Sequence, residues 1–181
     1  MSSRKRAPEN GRGRIPRRRK PLEPAAAADA RSAGAAAVAL LARRDFASVE
    51  LNARLLAQGF EAAVVRAVID ELGERRLIDD ARFAQHFVSY HAERGQGPVR
   101  IRRELAALGL PPALVDEALE AGRDWARQAR EVRIRRFGLS VPPNWAEKAR
   151  QARFLQYRGF SIDHIRSALG PDFPASLDSE S

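Results

Sequence analysis

The sequence predicts an all-α protein: three tandem three-helix modules in an elongated array, preceded by a disordered basic arm. Three observations predict it. Gly59, Gly109 and Gly159 recur every 50 residues with matching apolar flanks. Capping and stop residues punctuate the chain at helix-length intervals. No stretch sustains the two-residue alternation and turn chemistry of strands.

The arm comes first, over residues 1–35. Its first 24 residues hold nine Lys/Arg against Glu9 and Glu23, which is +7 of the chain's net +9. Arg17, Arg18, Arg19 and Lys20 form its densest run. Pro8, Pro16, Pro21 and Pro24 interrupt it, and only Ile15 and Leu22 are sizeable apolar side chains after Met1, so it has nothing to bury. It lacks the apolar core of a secretory signal, and its prolines oppose the amphipathic helix of a mitochondrial presequence. It reads as an electrostatic leash for nucleic acid or as a solubilising extension.

The three modules follow over 36–78, 79–121 and 122–170, with a tail over 171–181. Four residues before each repeated glycine stands Leu55, Leu105 or Leu155, and one after it Phe60, Leu110 or Phe160. Val65, Val115 and Ile165 come six after, and Ile69, Leu119 and Leu169 ten after. Two packed amphipathic helices joined by a tight turn require this pattern, and glycine suits the turn because it accepts positive φ. Upstream, Phe87 and Phe137 share a register position that Ala37 fills in the first module. Modules of this size are near the lower limit of independent stability, so neighbours should lean on one another.

Local signals place the helices. Ser48 is positioned to cap the middle helix of the first module. In the second, Asp79 caps a helix that runs to Arg94 and stops at Gly95, Pro98 opens the next, and Pro111 and Pro112 open the third through about Glu120. In the third, Asn144 and Glu147 read as a capping box and Ser161 caps the last helix. Over 123–137, Trp125, Ala129 and Val132 form one stripe, while Ile134 and Phe137 lie well around from it. Such a helix is apolar on two sides and belongs between modules, with Trp125 in the core or, alternatively, anchoring a partner.

Charge locates the functional surface. Residues 25–122 carry 12 basic and 14 acidic side chains, whereas 123–158 carry 10 and 3. A helix-turn-helix DNA reader needs Arg, Lys, Asn or Gln on its second helix, but here those helices are acidic or neutral. Glu61, Asp70 and Glu71 face Arg66 in one; Asp116, Glu117 and Glu120 stand without a cation in another; Asp163 opposes Arg166 in the last. Basic residues instead fan over the middle helix of the second module, where Arg103 points opposite Ile101, Leu105 and Leu108 with Arg100 and Arg102 beside it. The candidate contacts are Arg94, Arg100, Arg102, Arg103, Arg130, Arg133, Arg135 and Arg136. A solvated face with an Arg100–Glu104 pair is the plainer reading.

Other classes are poorly supported. The 181 residues include no cysteine, and the longest stretches free of Asp, Glu, Lys and Arg span eleven residues, short of the roughly 20 that cross a bilayer. The absence of cysteine is compatible with a reducing compartment. Three histidines, His86, His91 and His164, fall at no metal-binding spacing, and no Walker loop or nucleophile elbow occurs. No enzyme, cofactor or metal is expected.

In the middle module, Asp80, Phe83, Ala84, Gly95, Gly97, Pro98, Ile101, Glu104, Leu105, Gly109 and Leu110 follow in the order of the RecX family signature, which this segment closely resembles. Ala39–Arg44 with Glu50 and Leu51, and Phe154, Leu155, Arg158, Gly159 and Phe160, are similar to the family's first and last modules. The resemblance covers about residues 36–170. It implies a bacterial cytoplasmic monomer that binds the RecA nucleoprotein filament, lies along its groove, and restrains ATP hydrolysis, strand exchange and the coprotease activity that triggers the SOS response. It would also bind single- and double-stranded DNA in a salt-sensitive manner. The competing reading is a free-standing helical-repeat DNA-binding protein acting without RecA. Two features depart from the pattern: neutral Gln96 in the glycine loop, and the Arg-rich arm.

Overall fold

The computed structural model describes residues 27–170 and Phe173, and among the described residues every regular element is an α-helix. The first module comprises α1 (Ala30–Leu41), α2 (Ser48–Leu56) and α3 (Ala62–Glu74). The second comprises α4 (Asp80–Glu93), α5 (Pro98–Ala107) and α6 (Pro112–Glu120), and the third α7 (Trp125–Phe137), α8 (Trp145–Arg158) and α9 (Ile162–Leu169). The principal helix-to-helix packing falls within these triplets. Residues 1–26, including Arg17, Arg18, Arg19 and Lys20, and nearly all of the 171–181 tail lie outside the described residues.

Each repeated glycine closes a middle helix with left-handed backbone: φ is 98° at Gly59, 83° at Gly109 and 90° at Gly159. The next amide then donates back across the turn, Phe60 to Leu55, Leu110 to Leu105 and Phe160 to Leu155 at 3.1–3.3 Å. That bond satisfies a carbonyl the helix leaves open and swings the following apolar side chain inward. Leu55, Leu105 and Leu155 are fully buried as a result, with Val65, Val115 and Ile165 from the third helices against them.

Two cores form. One lies in the first module around Leu51, Leu55, Phe60 and Val65; the other runs unbroken through the second and third modules, and Ala47 from the first module reaches into it. Trp125 is a core residue of that larger cluster, and its indole N–H donates to the Leu119 carbonyl at 2.9 Å.

Three local expectations are corrected. Helix α1 begins at Ala30, so six residues assigned to the arm belong to the first module. Asp29 caps it by accepting from Arg31 and Ser32 N–H, and Ala33 and Ala37 are wholly buried. Alanine supplies little apolar area but lets neighbouring elements approach closely, so an alanine-rich core helix carries the same composition as a linker. Ser48 does not cap α2; it is the helix's first residue, and its N–H and Oγ both donate to the Asp80 carboxylate of α4, at 2.7 and 2.5 Å. The cap thus comes from the next module. Asn144 accepts from Glu147 N–H, but the Glu147 carboxylate turns to Arg150 and Gln151 and leaves the capping box half made.

Turns make the seams. Gly97 N–H donates to Arg158 O at 2.8 Å and Val99 N–H to Gly159 O at 3.0 Å, joining the start of α5 to the end of α8. Gly109 approaches Val49 at the start of α2 so closely that a Cβ there would stand 2.9 Å from a valine methyl. Val49 and Val99 are equivalent in the 50-residue register, as are Gly109 and Gly159, so both seams use the same edge of a module. In that register α8 starts three residues earlier than α5, and Glu147, the equivalent of Gly97, spends its N–H on Asn144 Oδ1.

Candidate nucleic-acid interface

Three helices bring their C-terminal ends together at the seam between the second and third modules. Helix α4 ends in its cap residue Arg94, α7 carries Arg135 and Arg136 in its last turn, and α8 ends at Arg158. These four arginines surround a groove of about 140 Å³ whose floor is Val132, Phe154 and Gly95. Gly95, with φ of 77°, has its α-carbon tight against Val132; an added Cβ would meet that methyl at 3.2 Å. Helix C-termini carry partial negative charge, which offsets the mutual repulsion of cations gathered there.

The groove is ordered by neutral contacts. Arg94 lies 3.6 Å above the Tyr90 ring, Arg158 5.2 Å from that of Phe154, and Arg136 5.6 Å from that of Phe137. Arg158 also donates to the Arg94 carbonyl at 3.1 Å. Gln96 fixes the loop beside it through a 2.8 Å contact with His91 Nδ1, and that imidazole stacks on Phe87. The neutral residue in the glycine loop therefore has a structural task.

Among the described residues, none of Arg94, Arg135, Arg136 and Arg158 has a carboxylate within ion-pair distance. Other arginines are matched. Arg44 and Arg54 share Glu50, whose carboxyl the Arg44 hydrogen bond holds below the usual range. Arg127 pairs with Glu131, and Arg150 holds the Glu147 carboxyl low in the same way. A larger cleft of about 530 Å³ next door mixes Arg123, Arg127 and Arg135 with Glu93, Asp124 and Glu131, and so has no single sign of charge.

The sequence-derived candidates divide accordingly. Arg94, Arg135 and Arg136 converge on the groove. Arg103 is exposed on α5 and has no ion pair among the described residues, whereas Arg100 is bound to Glu104 at 2.8 Å and Arg102 to Asp116. Arg130 points elsewhere, toward Ser167 of α9. Arg133 is corrected: it is 5% exposed and donates to Ser140 O and Gln151 Oε1, at 3.1 and 3.2 Å, so burial removes it from any docking surface. It lies between the two apolar sides of α7 rather than beyond them. Arg158 enters the sequence pattern only as part of the last glycine turn; its position in the groove depends on the long-range seam, although Gly97 and Gly159 carry a local trace of it.

Among the described residues, no group of His, Asp or Glu is arranged to hold a metal ion, and no helix is long and apolar enough to cross a membrane.

Comparison with known proteins agrees with this architecture. Residues 79–119 match the family model of the RecX second three-helix domain, and residues 124–169 that of its third. The regulatory protein RecX of Halorhodospira halophila is 48% identical over 134 residues, covering 74% of this chain and 83% of that protein. The RecX of Pseudomonas fluorescens Pf-5 is 43% identical over 74% of this chain and 86% of its own. The crystal structure of RecX from Lactobacillus salivarius superposes with a TM-score of 0.68 at 18% identity, over 77% of this chain and 93% of that one, and so shares the fold. With two consecutive domains matched and relatives of this identity aligned over most of both chains, the chain belongs to the RecX family.

Proposed function

We propose that this chain is a non-enzymatic regulator of a bacterial cytoplasm that binds the RecA nucleoprotein filament as a monomer. It would restrain RecA ATP hydrolysis, strand exchange and coprotease activity, and so tune recombination, DNA repair and SOS induction. The observation that carries this reading is the groove at the second seam, where four arginines stand without carboxylate partners among the described residues. Such a cluster is costly in isolation and suits phosphates, because each guanidinium is already oriented and needs no internal ion pair broken. The leading contacts are Arg94, Arg135, Arg136 and Arg158, with Arg103 and Arg130 on flanking surfaces. Arg100 and Arg102 contribute less because Glu104 and Asp116 already satisfy them.

Several weak contacts along an extended chain become effectively intramolecular after the first, so a small monomer can bridge protein subunits and the DNA they enclose. Titration of the chain into RecA hydrolysing ATP on single-stranded DNA tests the proposal. Inhibition at comparable or substoichiometric ratios supports it. Tight binding to naked DNA with no effect on RecA selects the free-standing DNA-binding reading.

A further inference from the structure

Beyond the groove, the loop after α7 combines a buried cation with exposed aliphatic side chains. Leu139 is 80% exposed and Val141 75% exposed, while the backbone beneath them is held from within. The Arg133 guanidinium, 5% exposed and with no carboxylate within ion-pair distance among the described residues, donates to Ser140 O at 3.1 Å and Leu139 O at 3.4 Å. Its Nε has no hydrogen-bond partner among the described residues. Gln151 accepts from the same guanidinium and passes its own N–H to Glu147, so the nearest anion acts at one remove.

Burying a guanidinium without a direct counter-ion is unfavourable. Here it fixes two carbonyls of a loop that exposes the side chains of Leu139 and Val141. Gly138, with φ of 85°, reverses the chain on one side, and Pro142 and Pro143 stiffen the other. A solvated connection needs none of this. A projection for insertion into a pocket does, because rigidity lowers the ordering cost of binding.

We infer that Leu139 and Val141 form a preorganised knob that inserts into an apolar pocket rimmed by carboxylates on a protein partner. Charge complementarity selects that occupant: on α8, the helix that follows the loop, Arg153 is exposed and has no carboxylate within ion-pair distance among the described residues, while Arg150 holds the nearby Glu147. Aliphatic tips gain little from phosphates and would lose their burial against a hydrated backbone. The knob is thus a protein contact beside a polyanion contact. The inference rests on the proposed filament binding and assigns the protein half of that interface to this loop.

The test compares the full chain with its Leu139→Ser/Val141→Ser double variant. Binding is measured to RecA filaments on a labelled single-stranded oligonucleotide with a slowly hydrolysed ATP analogue, and to the same oligonucleotide alone. The expected result is a loss of about tenfold or more in filament affinity, persisting at high salt, with naked-DNA affinity within about twofold of the parent. Unchanged filament affinity would overturn the knob alone. An equal loss on both probes would make the loop a nucleic-acid contact and overturn it too. If the parent chain binds filaments no more tightly than naked DNA, the filament reading fails and the knob falls with it. Arg133→Met should raise amide exchange at residues 139–141; unchanged exchange would refute the buried staple.

Discussion

Gly97 and Gly159 meet main chain to main chain: a Cβ on Gly97 would stand 2.4 Å from the carbonyl carbon and oxygen of Gly159. No side-chain rotation relieves a backbone clash. The two backbone hydrogen bonds that cross this seam, and the arginine groove beside it, depend on that approach.

Gly97→Ala should therefore force the second and third modules apart. Overpacking of this kind costs about 1–3 kcal/mol, and φ at Gly97 is an ordinary −91°, so the effect reports the clash and not backbone strain. Urea denaturation should show the loss, and proteolysis should become faster between the modules. A variant as stable as its parent would mean that the seam yields freely.

Replacing Arg94, Arg135 and Arg136 together by Gln should weaken DNA binding and RecA inhibition while leaving the fold intact, since exposed substitutions shift stability by about ±0.5 kcal/mol. Each phosphate that is no longer neutralised lowers the slope of log K against log salt by about 0.7–0.9. Arg100→Gln/Arg102→Gln should have a smaller effect, because both are already ion-paired. Equal losses from the two variants would extend the contact surface from the groove onto α5.

Deleting residues 1–24 removes +7 of charge and should flatten the salt dependence of DNA binding while leaving RecA inhibition largely in place. Titrations at several salt concentrations check it, and an unchanged slope would assign the electrostatics to the modules.

Asp80→Ala should loosen the first module from the second, because it strips α2 of the carboxylate that accepts from both Ser48 N–H and Oγ. Losing a helix cap costs about 0.5–2 kcal/mol. Hydrogen exchange at the start of α2 should rise, with α8 and α9 unaffected.

Acidification should weaken the third module first. Burial holds His164 below its ordinary value, against the opposing influence of Asp163 and Asp124. The folded chain then binds fewer protons than the unfolded one, so stability present at neutral pH declines as pH falls below about 6.5 and levels off beneath the folded-state pKa. The difference in melting temperature between parent and His164→Gln should narrow or invert between pH 7.5 and 5.5. Glu50, held low by Arg44 and Arg54, adds a further loss deeper in the carboxylate range.

Local sequence dictates the helices, their turns and the three-module order. A glycine at a helix end, a leucine four residues before it and an apolar residue just after it are a short-range device, legible wherever it occurs. Charge counts likewise place the basic surface at 123–158. Which of those cations stay available is settled only when the helices dock. Arg102 and Asp116 are fourteen residues apart, yet they pair when α5 meets α6. Arg133 resembles its exposed neighbours in sequence but is sealed beneath a loop, and Arg158 reaches Arg94 across 64 residues through a seam made of glycine backbones. The start of α1 is illegible in the sequence for a related reason: Ala33 becomes a core residue only through the neighbours that enclose it. Helix formation is governed by residues three and four apart, whereas charge pairing and burial depend on surfaces that meet only after the modules dock.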